Sequence, residues 1–436
     1  MEILKFDPTE TYGKFKPLNA TNGGPMYRRH ATDQFTSNFE TYKAARIPYS
    51  RNHDSCADII YGGPFAHDIS AIFPNFDADE NDPNSYDFAC TDESILCTLD
   101  AGTKTFFRLG QTIEQQIKKH YTLPPKDFAK WARICERIIR HYTEGWADGF
   151  TLDMPYWEIW NEPDLDTDDS ANKRTWGGTK AQFFDFYEIA AKHLKACFPH
   201  LKIGGPALAH RMDWAVDFIS EMQKRNVPID FFSWHVYAVE PQTIMNMAER
   251  LRETLDKYGY TETESILNEW NYVRGWGKDF VYTLETIRGI KGAAFTMSVI
   301  SESQKSSIDM LMYYATRPSG FDGAFDLLTK RTLKGYYPLK WYGDFYDLEN
   351  EIRTENVVKD IYSIAGVDKN GKVTAIVTHY SENDDKENVR VKVDFNKEAE
   401  YDIYLLDKDH DGELISTEKD LTFDMPVHSC VMIKEK

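Results

Sequence analysis

The run Tyr156-Trp157-Glu158-Ile159-Trp160-Asn161-Glu162-Pro163 sets an amide and a carboxyl directly behind an aromatic, branched stretch. Such a stretch favours a strand, and Pro163, with no amide hydrogen, ends the pairing. Asn161 and Glu162 therefore stand at a strand's C-terminal end. A carboxyl among aromatic rings loses water, which favours its neutral form and suits a general acid. Asn161 has an amide hydrogen to offer a sugar hydroxyl. Glu269 repeats the setting, because it follows Ser265-Ile266-Leu267-Asn268, again at a strand's C-terminal end. Hydrolysis of a glycosidic bond needs two such carboxyls: one protonates the leaving oxygen, the other attacks the anomeric carbon or activates water. Taken singly, Glu162 could close a strand in solvent and Glu269 could be a surface loop residue; the pair argues for the chemistry. Glu158, two residues before the acid, reads as a barrel-interior or structural carboxylate.

Other side chains could serve the same site. His235 and Tyr237, in Ser233-Trp234-His235-Val236-Tyr237, alternate onto one side of the intervening strand and could hydrogen-bond the second carboxylate or the sugar. A core histidine bonded to backbone is the competing reading of His235. His53 and Asp54 follow the predicted strand Ile47–Ser50, together with Arg51 and Asn52, and could hold sugar hydroxyls. Trp270, Trp176 and Trp276 are candidate stacking platforms or simple packing.

The elements that must position these groups alternate regularly. Strands are expected near Tyr12–Leu18, Ile47–Ser50, Thr105–Leu109, Tyr156–Trp160, Lys202–Gly204, Asp230–His235, Ser265–Leu267 and Asp309–Tyr314. Helical spacing fills the intervals, with one long helix expected over Val281–Ile300. Eight strand-helix units in about 330 residues predict an α/β fold of the (β/α)8 TIM-barrel type over residues 15–350, where reacting groups collect at the strands' C-terminal ends. An open doubly wound sheet is the rival, but Asn22-Gly23-Gly24-Pro25 lacks the spacing of a phosphate loop. Beyond Glu351, short β-type runs between Asp/Asn/Gly turns predict a small β-sandwich over residues 351–436, with residues 1–14 expected to complete it.

Composition narrows the partners. The 436 residues suffice for a barrel and a smaller domain, and 42% hydrophobic with 28% charged residues is a globular balance. A formal charge of −19 repels phosphate backbones and anionic membranes, so neither nucleic acid nor membrane is an expected partner. Met1-Glu2-Ile3-Leu4-Lys5-Phe6-Asp7-Pro8 lacks the basic and apolar regions of a secretory signal, and a cytoplasmic location is the expectation. The six cysteines are scattered without a metal spacing. Asp407, Asp409, Asp411 and Glu418 match a twelve-residue calcium loop with Gly412 at its sixth position. Strand-like flanks favour a hairpin turn there instead, so no cofactor and no metal are expected. The expected partner is a small glycoside or oligosaccharide, with homo-oligomer formation left open.

The combination Trp157-Glu158-Ile159-Trp160-Asn161-Glu162-Pro163-Asp164, Trp234-His235-Val236-Tyr237 and Asn268-Glu269-Trp270 resembles retaining glycoside hydrolases of clan A, most closely family 39. The resemblance spans nearly the whole chain. It implies Glu162 as acid/base and Glu269 as nucleophile in a double displacement, with sugar contacts from Asn161, His235, Tyr237 and His53. Family 39 resembles a group of mostly β-xylosidases with α-L-iduronidase relatives, which makes a β-xylosidase the first expectation. Arabinoside, galactoside, glucoside or uronide substrates, or a non-catalytic carbohydrate-binding barrel, are the alternatives. Met312-Tyr313-Tyr314-Ala315-Thr316-Arg317-Pro318 stands where xylosidase-type members usually carry a Trp-containing stretch, which leaves the sugar open. Arg108 and Arg317 could suit an acidic sugar if they enter the pocket, or be ion-pair partners.

Overall fold

The computed structural model describes residues 1–27, 29, 37–52 and 66–436. His53 and Asp54 lie outside the described residues. Eight parallel strands close into a barrel. In order they are Ala20–Asn22, Tyr49–Arg51, Lys104–Leu109, Tyr156–Ile159, Lys202–Leu208, Phe231–Ala238, Glu264–Tyr272 and Met310–Tyr313, called barrel strands 1 to 8 below. The first strand is Ala20–Asn22, later than the expected Tyr12–Leu18; it closes the barrel by pairing Ala20 with Met312 and Thr21 with Tyr313.

Local chemistry explains the helices between them. Asp127 caps Phe128–Glu144 by accepting from the Lys130 amide, and Gly145 ends it at φ 76°. Thr179 and Gln182 form a reciprocal cap on Lys180–Cys197. The single helix expected over Val281–Ile300 is two, Phe280–Arg288 and Ile290–Lys305, because Gly289 takes an extended conformation between them. Gly292 then lets the second helix start against the first: a Cβ there would stand 2.5 Å from the Thr286 carbonyl oxygen. No helix among the described residues is long and apolar enough to cross a membrane.

The barrel interior is layered. At the strands' N-terminal ends Ala20, Phe106, Phe231, Ile266, Met310 and Met312 pack with Tyr49 and Tyr156 into an apolar plug. Two residues further along the same strands, on the same face, the side chains turn polar: Asn22 after Ala20, Arg51 after Tyr49, Glu158 after Tyr156 and Asn268 after Ile266. The plug closes one end and leaves the polar layer as the floor of the other.

Two further sheets pack face to face. The larger runs Asn350–Ile352, Ile361–Val367, Val373–His379, Ser429–Glu435, Tyr401–Leu406, Asp411–Glu418 in spatial order, all antiparallel. The smaller joins Glu2–Lys5, Val389–Asp394 and Thr422–Met425, with the first pair parallel. Leu4, Phe6, Val391 and Val393 of one meet Ala375, Val377, Ile403 and Ile433 of the other in a separate core. The opposite face of the larger sheet, including Ile364, Ile376, Leu406 and Met432, merges with the barrel's core.

The calcium-loop pattern does not fold as a loop. Asp411–Glu418 is an edge strand, so Glu418, seven residues past Asp411 at roughly 3.3 Å each, lies roughly 23 Å away and cannot close on the same ion. Asp407 instead accepts from the Asp409 and His410 amides, as a turn residue does, and Asp411 pairs with Lys334. This strand was not expected because its side chains are mostly exposed and carry no apolar alternation.

Candidate active site

Glu162 and Glu269 meet at the barrel mouth. One oxygen of each and a ring nitrogen of His235 all lie within 4.8 Å of one another. Glu162 and Glu269 are each 7% exposed and His235 is fully buried.

How strand 4 delivers Glu162 depends on its ending. Trp157 turns outward onto Phe107, with ring centroids 5.0 Å apart, while Glu158 turns inward. Trp160 and Glu162 then take left-handed φ values of 74° and 50°, a conformation that costs a side-chain-bearing residue of order 1 to 3 kcal/mol and persists only where neighbours impose it. The Glu162 amide donates to the Ala207 carbonyl at 2.9 Å, and the Thr175 hydroxyl donates to the Glu162 carbonyl at 2.6 Å. Buried Asp164 accepts the amides of Ala209, His210 and Arg211, locking the following loop to strand 5.

Strand 7 delivers Glu269 through a bulge. Trp234 pairs with Leu267 but His235 pairs with Glu269, so the register slips by one residue at Asn268. Without it, alternation from inward Ile266 and Asn268 would aim Glu269 out of the barrel. With it, both Asn268 and Glu269 face inward: Asn268 donates to Glu158 at 2.5 Å and Glu269 accepts from Tyr237 at 2.7 Å. Trp270 consequently points outward and is fully buried against Tyr313 and Phe295, with centroids 5.7 and 6.3 Å away. The expectation that Trp270 contacts substrate is therefore corrected: the bulge that brings Glu269 in sends Trp270 out. Trp176 is likewise packing, 4% exposed against Trp160 and Phe186. Trp276 differs, being 60% exposed, edge-on to Tyr237 at 5.0 Å and stacked on Phe321 at 5.8 Å.

Beneath the two carboxylates lies a cation that the sequence analysis did not single out. Arg51 is fully buried and donates to Glu158 (2.7 Å), Asn161 (2.7 Å), Glu269 (3.3 Å) and Asn22 (3.3 Å). Burial opposes its charge, but Glu158 and Glu269 outweigh burial and hold its pKa above the ordinary value. Its position at the end of predicted strand 2 was a usable signal, since a barrel with inward Glu158 and Glu269 needs a compensating cation. Because the Asn161 oxygen accepts from Arg51, its amide nitrogen is turned away as a buried donor with no protein partner. That donor is available to a hydroxyl.

His235 Nδ1 lies 2.8 Å from Glu162 and 3.7 Å from Glu269, so it bridges the pair. Tyr237 is pushed well above its ordinary pKa by burial and by the charge of Glu269, and remains a phenol donor. Arg108 is committed to Asp68 at 2.8 Å and lies 1% exposed. Arg317 is buried as well.

The model of glycosyl hydrolases family 39 matches residues 7–271, more than half of the chain. A beta-xylosidase of Caldicellulosiruptor saccharolyticus is 30% identical over 224 residues, 48% of this chain and 43% of that protein. A beta-xylosidase of Geobacillus stearothermophilus is 28% identical over 190 residues, 41% of this chain and 36% of that protein. The matches thus span less than half of those relatives' length. A crystal structure of a glucosidase from Croceicoccus marinus superposes with a TM-score of 0.80 at 21% identity, covering 100% of this chain and 99% of that one, a likeness of fold. On the family match, which covers more than half of its length, the chain belongs to glycosyl hydrolases family 39.

Proposed function

We propose that the protein is a retaining glycosidase that removes the non-reducing-end sugar from plant-type oligosaccharides, with β-xylosides as the first substrate class. The observation that carries this reading is the approach of Glu162 and Glu269 to within 4.8 Å. Double displacement works with carboxyl groups roughly 5 to 5.5 Å apart, whereas single displacement leaves roughly 6.5 to 9.5 Å for a water. The names of the two family relatives support the sugar.

Glu269, with Tyr237 donating to one oxygen and Arg51 to the other, attacks the anomeric carbon. The bond to the leaving oxygen breaks as Glu162 gives it a proton, and a glycosyl ester on Glu269 forms. Water then attacks the same carbon, loses its proton to Glu162 and releases Glu269, so inversion occurs twice. Asn161 offers its unpartnered amide hydrogen to a sugar hydroxyl, and His235 steadies Glu162 through the cycle. These steps need no metal or cofactor.

The test is Glu269→Gly. Turnover of aryl glycosides is expected to vanish, and azide is expected to restore it while yielding a glycosyl azide of inverted configuration. Wild-type turnover by that variant without azide would remove Glu269 from the role, and a panel of aryl glycosides identifies the sugar.

A further inference from the structure

We propose that Glu136, His193 and Cys197 form a binding site for a zinc-class divalent cation on the helical layer outside the barrel. His193 and Cys197 are four residues apart on helix Lys180–Cys197 and so share one face. Glu136 approaches from the neighbouring helix Phe128–Glu144. One ligand atom from each residue lies within 4.8 Å of the other two. Glu136 Oε2 stands 2.8 Å from His193 Nε2, which stands 3.8 Å from Cys197 Sγ.

Atoms bound tetrahedrally to zinc at about 2.0 to 2.3 Å sit roughly 3.3 to 3.8 Å from each other. The histidine and carboxylate therefore part by about half an ångström, a movement within reach of the partly exposed His193 side chain. The His193 side chain is 32% exposed, which gives access from solvent and room for water as a fourth ligand. Sulfur and imidazole nitrogen select zinc-type ions over calcium or magnesium.

The surroundings already orient the carboxylate. Arg140 donates to Glu136 Oε1 at 2.9 Å and lies over the Phe198 ring at 5.1 Å, leaving Oε2 for the cation. Arg137, 3.6 Å from the same Oε1, stands on that side too. Both guanidiniums oppose a second cation, so binding rests on the thiolate. Burial, and then Glu136, push the Cys197 thiol above its ordinary value, and a bound ion would release its proton to solvent. The ion would clamp the helix after strand 3 to the helix after strand 4, the strand whose end leads into Glu162.

The experiment uses the full chain, untagged, metal-stripped and reduced, titrated with Co2+ alone. The wild type is expected to show a thiolate-to-cobalt charge-transfer band that saturates at one equivalent and is bleached by Zn2+. Cys197→Ser is expected to lose the band, and Glu136→Gln to weaken Co2+ binding by at least the roughly tenfold that disturbing an outer-shell partner costs. Cys90→Ser, which alters the other half-buried thiol among the described residues, is expected to keep it. Unchanged glycoside turnover in Cys197→Ser shows that the variant is folded. Absence of the band in the wild type, or its survival in Cys197→Ser, overturns the site.

Discussion

Arg51 pairs with two carboxylates at the barrel mouth. It holds Glu158 and Glu269 together in a region where both Arg51 and Glu158 are fully buried. Removing one partner of a buried pair typically costs about 3 to 5 kcal/mol, because the other charge is left without compensation. Arg51→Met is therefore expected to lower unfolding free energy by about that much and to abolish turnover. Adding Glu158→Gln should restore much of the stability, read by urea unfolding, and none of the turnover, because Glu269 keeps only Tyr237 and still lacks the cationic donor on its other oxygen. Equal recovery of both would show that Arg51 serves stability alone. His67 makes a second prediction at this scale. Burial, and then Arg317 and Arg108, push its pKa down to about 3, against an ordinary 6.5. The folded-state value is depressed, so below about pH 6.5 the unfolded chain binds a proton that the folded chain refuses. His67's contribution is whole above pH 6.5 and is lost as pH falls toward 3, by up to about 1.4 kcal/mol per unit. His67→Gln is expected to flatten the decline of stability between about pH 6 and about pH 4, and matching slopes in variant and wild type would show that His67 titrates normally.

Among the elements, the loop after strand 7 is held from outside the barrel. Glu382, in the connection between Val373–His379 and Val389–Asp394, accepts from Tyr272 at 2.9 Å, Arg274 at 2.6 Å and pairs with Lys291 at 3.1 Å. Tyr380 donates to the Val239 carbonyl at 2.5 Å, fixing the end of strand 6 in the same way. The segment so pinned starts three residues beyond Glu269 and carries Trp276. Glu382→Ala is expected to lower kcat by about tenfold, short of the hundredfold that a displacement of 1 Å can cost. Glu382→Gln, which still accepts from Tyr272, should recover part of it; wild-type kcat and KM in the alanine variant would refute the positioning role. Element types were readable because strand and helix periodicity is local. Boundaries were less so: strand 7 runs to Tyr272 rather than Leu267, since Asn268, Glu269 and Asn271 break the apolar run by being polar yet buried. The edge strand Asp411–Glu418 carried no alternation to read.

At the scale of the molecule, the N-terminal strand Glu2–Lys5 joins the far end of the chain by pairing in parallel with Val391–Asp394. Leu4 and Phe6, each 2% exposed, lie in the core between the two sheets. Burying two such side chains contributes roughly 3 to 6 kcal/mol together. A chain lacking residues 2–6 is expected to lose stability on that scale and to expose strand Val389–Asp394 as an edge, seen as a lower thermal midpoint and faster amide exchange there. An unchanged midpoint would mean that the strand adds nothing.

By itself the sequence determined the barrel, the second β-rich layer and the two strand ends that carry Glu162 and Glu269. Those follow from periodicity and from residue types within a few positions of each other. Tertiary structure alone decided that Glu269 faces inward and Trp270 outward, because a bulge exists only relative to the strand beside it. It also decided that Arg51 is the shared counter-charge, a role set by Glu158, Asn161 and Glu269 arriving from two other strands. Side-chain parity and charge compensation belong to pairs of strands far apart in the chain, and no single segment records them.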